Sequence, residues 1–62
     1  MKVKCISIRE KMPDQINLGE IYYIKTENIW DDREDWYCEV YKDVEFKNRV
    51  GILKLSHFTR ME

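Results

Sequence analysis

The residues with the clearest chemical potential lie between two tryptophans, in Trp30-Asp31-Asp32-Arg33-Glu34-Asp35-Trp36, where four carboxylates fall within five positions. A concentration of negative charge attracts cations, and flanking indoles add contact area and a π face on which a cation can rest. Acid–base catalysis needs two carboxyls held at a defined separation in different environments, which an acidic loop does not supply. The spacing is not that of a calcium loop either. What the segment does combine is charge and aromatic anchors, the ingredients of a docking site for a basic segment of another protein. The expected binding residues are Trp30, Asp31, Asp32, Glu34 and Asp35, with Tyr37 as an aromatic neighbour. The plainer reading is a solvated loop, with Trp36 in the core and Trp30 packed over one open end.

Other reactive side chains are few. Cys5 and Cys38 stand far apart with no CxxC pattern, and together with the single His57 they offer three zinc ligands where four are usual. Two small core side chains are the simplest account of the cysteines. His57, between Ser56 and Phe58, has no nucleophile motif beside it and reads as a surface or capping histidine. No catalytic residue, metal site or cofactor is expected.

A second binding chemistry competes with the first. Tyr22, Tyr23, Tyr37, Tyr41 and Phe46 are interleaved with Lys25, Lys42, Lys47 and Arg49. That mixture suits stacking against single-stranded nucleic acid, with Lys42, Lys47 and Arg49 holding phosphates. Against it stands the charge balance: 11 basic and 12 acidic residues give a net charge of −1, without the excess such binders usually carry.

The elements that must position these groups are short. Val3 to Arg9 is rich in β-branched residues and is closed by a polar stretch from Glu10 to Asn17, where Pro13 and Asp14 favour a turn. Gly19, with a positive φ or a close approach, leads into Ile21 to Thr26, the clearest strand. In the strand from Asp35 to Tyr41, alternation groups Trp36, Cys38 and Val40 on one face as core. A polar connection from Lys42 to Asn48 precedes a strand from Arg49 to Leu53. A helical turn over Leu55 to Phe58 and a last strand from Thr59 to Met61 complete the reading. Helical periodicity is nowhere sustained, so the chain is all-β.

Sixty-two residues make one domain, spanning 1–62, with little core and no volume for a deep substrate cleft. A flat five-stranded sheet would leave one apolar face uncovered, whereas curling the sheet buries it without a helix. The expected architecture is therefore a small five-stranded, partly open barrel of SH3-like or OB-like type, with a short helical turn before the last strand. The N-terminal residues lack the apolar stretch of a signal peptide and no segment is long enough to span a membrane, which points to a cytoplasmic protein.

The segments Lys2 to Ile6, Ile16 to Ile24, Trp36 to Tyr41 and Gly51 to Phe58 resemble a pattern in short proteins of phages and prophages of Gram-positive bacteria. In that group a Lys-Val-Lys-Cys-Ile-like strand leads to a Leu-x-x-Gly-x-x-Tyr-x-Val-like segment. A tyrosine-rich strand and a Gly-containing strand with an aliphatic-Ser-x-Phe turn follow. The resemblance implies an SH3-like barrel and no catalytic residue, most of the group having no assigned function. This chain departs from the group at Lys42 to Asn48, which replaces the usual Asp-Gly turn. Taken together, the residues predict a non-catalytic module that binds a basic segment of a protein partner. The competing expectations are a nucleic-acid-binding barrel and a self-assembling structural protein, the chain itself being a monomer or weak homo-oligomer.

Overall fold

A computed structural model describes residues 1–9, 12–32 and 35–61 of the chain. Five strands form one antiparallel sheet: β1 (Lys2–Cys5), β2 (Ile21–Asp32), β3 (Asp35–Tyr41), β4 (Arg49–Lys54) and β5 (Phe58–Arg60). A 3-10 turn, Leu55–His57, separates β4 from β5. The strand order is β4-β3-β2-β1-β5, so the sheet has two ends and is not closed. The all-β, five-stranded, partly open architecture expected of the sequence is present, with its single helical turn before the last strand.

The end of β1 and the start of β2 have identifiable causes. β1 stops at Cys5, short of the expected Arg9, because the N–H groups of Ile6 and Ser7 both turn to the His57 carbonyl. Gly19 adopts φ +84°, the left-handed conformation glycine takes without penalty, and its N–H donates to Cys5 O at 2.8 Å. The chain thus re-enters the sheet at Ile21, directly across from Lys4.

β2 runs six residues past the expected Thr26 and outruns β1 on the way. Ile21 to Tyr23 pair with β1 on one side, while Tyr23 and Ile24, and again Ile29 to Asp32, pair with β3 on the other. Between the pairs Ile24↔Val40 and Ile29↔Cys38, β2 advances five residues while β3 advances two. The surplus at Lys25–Asn28 is an irregularity of the kind that bends a strand and increases its twist. It lets one strand serve both halves of a curled sheet.

The connection from Lys42 to Asn48 is held by one carboxylate. Asp43 accepts the N–H groups of Lys47 (Oδ1 3.0 Å, Oδ2 3.1 Å) and Asn48 (Oδ1 2.8 Å), and Lys42 N donates to Asn48 O at 3.0 Å. These bonds, led by that from Asn48, hold the Asp43 carboxyl below its ordinary pKa. Within this loop Phe46 takes φ +59° and packs edge-on against Tyr41 at 5.4 Å.

The core joins Val3, Cys5, Ile16, Tyr22, Ile24, Cys38, Val40, Leu53 and Phe58. Tyr22 meets Phe58 edge-on, with centroids 6.0 Å apart. Its buried hydroxyl donates to Gln15 O at 2.9 Å and accepts from Asn17 N at 2.7 Å, and burial raises its pKa. That bond pair ties the loop before Gly19 to β2. Both thiols are free and buried, and burial pushes Cys38 up to about 11.

Two expectations are corrected by the packing. Trp36 is not in the core but 55% exposed, although Cys38 and Val40, on the same face, are fully buried. The core ends at Cys38 and its neighbour Ile29, and the next alternate position overhangs it. His57 is not on the surface but 6% exposed, because the 3-10 turn folds its ring inward against the end of β1.

Candidate protein-binding site at the β2–β3 hairpin

The acidic segment is not a loop hanging between strands. Its described residues continue the ladder, with Trp30↔Tyr37, Asp31↔Trp36 and Asp32↔Asp35 as cross-strand partners. Directly opposed residues share a face and successive ones alternate. The ladder therefore divides the expected cluster between two faces of a projecting hairpin. Trp30 and Tyr37 occupy the outer face, where their rings stack at 6.4 Å with an interplanar angle of 25°. Asp31 and Trp36 occupy the face that carries Cys38 farther along. Asp32 is placed opposite Asp35 by its backbone, and Glu34 lies outside the described residues.

Trp36 has a setting of its own. It lines an open groove of about 320 Å³ with Asp35 on the same hairpin and Leu55 and Ser56 from the 3-10 turn. The groove arises because β4 delivers the turn just where β3 outruns the core. The Asp35 side chain shares the outer face with Tyr37, where its Oδ2 lies 3.2 Å from Nζ of Lys54, the cross-strand partner of Tyr37. Sequence reasoning assigned Trp36 to the core and so missed it as a site residue. The available signal was its position, one residue from the last carboxylate and at the far end of the strand from Val40.

Behind the groove, His57 Nδ1 lies 2.8 Å from Ser7 Oγ. Desolvation first, then the charges of Arg9 and Lys54, hold the imidazole below its ordinary pKa. The pair clamps the 3-10 turn to the segment after β1. Among the described residues, no three of His, Cys, Asp and Glu gather as a metal-binding group.

The residues of the competing chemistry are dispersed and engaged with other groups. Arg49 Nε donates to Glu39 Oε2 at 2.8 Å, and Lys47 lies 3.8 Å from Glu45. Lys25 Nζ sits 5.5 Å from the Tyr41 centroid and 5.3 Å from that of Phe46. Lys42 is exposed. Tyr22 and Tyr41 are buried and present no face for stacking, a correction to the expected five-ring surface. Only Tyr23, Tyr37 and Phe46 keep partial exposure.

Among the described residues, no helix is long and apolar enough to cross a membrane. Compared with family models, curated proteins and solved structures, the chain matches none of them.

Proposed function

We propose that this chain is a non-catalytic interaction module, a cytoplasmic SH3-like barrel of phage or prophage type, which captures a basic segment of a partner protein at its acidic hairpin. The observation that carries the reading is Trp36: a large indole, 55% exposed, in an open groove at the acidic hairpin. Large exposed aromatics in a pocket are the usual anchors of protein interfaces. Asp31, the cross-strand partner of Trp36 and on the same face, supplies the field that steers a basic chain toward the ring. Peptide recognition by an aromatic-lined groove beside acidic residues is an established mode of small barrels, and here it remains an analogy of geometry.

The test is an affinity pull-down from host lysate, with and without nuclease. The wild type is compared with Trp36→Ala and with the triple variant Asp31→Asn/Asp32→Asn/Glu34→Gln. One protein recovered by the wild type, lost by both variants and indifferent to nuclease supports the reading. Recovery that disappears with nuclease but ignores the acidic changes overturns it in favour of nucleic acid, with Lys42, Lys47 and Arg49 as the residues to examine.

A further inference from the structure

One wall of the groove is the 3-10 turn, whose Leu55 and Ser56 line it together with Trp36. Lys54 caps this turn without a side-chain hydrogen bond, and one bond closes it, from Phe58 N to Leu55 O. Leu55 packs against the margin of the core, and the turn's other described ties run through His57. Ile6 N donates to His57 O at 2.8 Å and Ser7 N at 3.4 Å, while His57 Nδ1 lies 2.8 Å from Ser7 Oγ. The ring itself is buried. We propose that His57 is a proton switch on the groove: the neutral imidazole seats the 3-10 turn as a groove wall, and a proton on it unseats the turn and weakens capture of the partner. The inference rests on the protein-binding reading above.

The ring's surroundings oppose a charge. A buried imidazolium loses its water, and cations from two elements repel it: Arg9 after β1 and Lys54 at the end of β4. On β3, Asp35 is directed to the outer face and paired with Lys54, and Phe58 of β5 brings no charge. Cys5 of β1 contributes only a thiol, which donates to Ser7 O at 3.4 Å. Among the described residues no carboxylate is ion-paired with the ring, and hydrogen bonding to Ser7 alone favours the charged form. Once protonated, the imidazolium gains by turning out into water, and the carbonyl that receives Ile6 and Ser7 moves with it. Binding that needs the seated turn selects the neutral ring. Affinity is therefore full at neutral pH and falls as pH drops below the ordinary histidine range.

The experiment is NMR on the ¹⁵N-labelled protein, in which His57 is the one histidine and its ring protons report its titration directly. Amide exchange is followed from pH 7.5 to pH 5 as protection relative to an unstructured chain. Protection at Ile6 and Phe58 is expected to fall as the ring takes up its proton, while Val40, in the interior strand β3, keeps its own. In parallel an acetylated, amidated tetra-arginine peptide is titrated at low salt, with the Trp36 indole N–H as reporter. Its affinity is expected to fall about fivefold over this pH range, the low end of ordinary coupling between sites, and by less in His57→Gln. Protection at Ile6 and Phe58 that ignores the ring's titration, or that is lost equally at Val40, overturns the switch. A fall in affinity as large in His57→Gln as in the wild type overturns it too. Both outcomes leave the binding reading intact. A peptide that does not move Trp36 at either pH overturns both. If His57→Gln does not fold, the wild-type exchange decides alone.

Discussion

Ser7 Oγ and His57 Nδ1, fifty residues apart in the chain, meet at 2.8 Å and lock the 3-10 turn against the end of β1. The ring is buried, and its surroundings oppose protonation: desolvation contributes most, followed by Arg9 and Lys54. A histidine whose folded pKa is lowered takes up protons more readily in the unfolded chain, so stability falls as pH drops below the ordinary value near 6.5. The thermal midpoint of the wild type should decline from pH 7 to pH 5, and that of His57→Gln should decline less. Parallel declines would show that His57 does not carry the effect. Ser7→Ala should cost about 0.5–1.5 kcal/mol at neutral pH, the worth of one hydrogen bond.

The Tyr22 hydroxyl and the Ile24 side chain test two different contributions to the same core. Tyr22→Phe keeps the ring against Phe58 but leaves Asn17 N–H and Gln15 C=O without their partner, at a cost of about 1–3 kcal/mol. Ile24→Ala opens a cavity at a position with no exposure and should cost about 2–5 kcal/mol. A 62-residue domain has a total stability on the order of 3–9 kcal/mol, so the second change should leave a substantial unfolded fraction. Urea unfolding followed by tryptophan fluorescence measures both.

Neither thiol should react in the native state. Cys5 and Cys38 are 1% and 0% exposed, and burial holds Cys38 near 11. With Ellman's reagent at pH 8, colour should develop at the rate of unfolding and accelerate in urea, reaching two thiols per chain. An immediate burst from either cysteine would contradict the packing.

The two tryptophans should separate stability from binding. Trp30→Ala removes a stacked partner of Tyr37 and should destabilise by about 0.5–1 kcal/mol. Trp36→Ala removes a ring standing largely in solvent and should change stability by no more than about 0.5 kcal/mol while abolishing partner recovery. A large loss of stability on Trp36→Ala would return that residue to the core and remove the main support for the binding reading.

Much of the fold was legible because it is local. β-branched and aromatic runs broken by turn residues marked five strands, Gly19 marked a positive φ, and the alternation of Cys38 and Val40 marked the face of β3 that meets the core. Alternation assigns a face, but it carries no information about where the opposing surface ends, so Trp36 was grouped with residues whose cover stops short of it. His57 shows the converse: nothing beside it in the chain announces burial, because the cover comes from Ser7 at the other end of the sequence. The extra residues of β2 at Lys25–Asn28, the division of the acidic segment between two faces and the capture of Asp35 by Lys54 are likewise matters of register between distant strands. Composition and periodicity decided that this chain builds a small all-β domain with an acidic, tryptophan-bracketed segment. Tertiary structure alone decided which indole lies open and which carboxylate is already paired, since burial and ion pairing depend on neighbours that sequence separation does not specify.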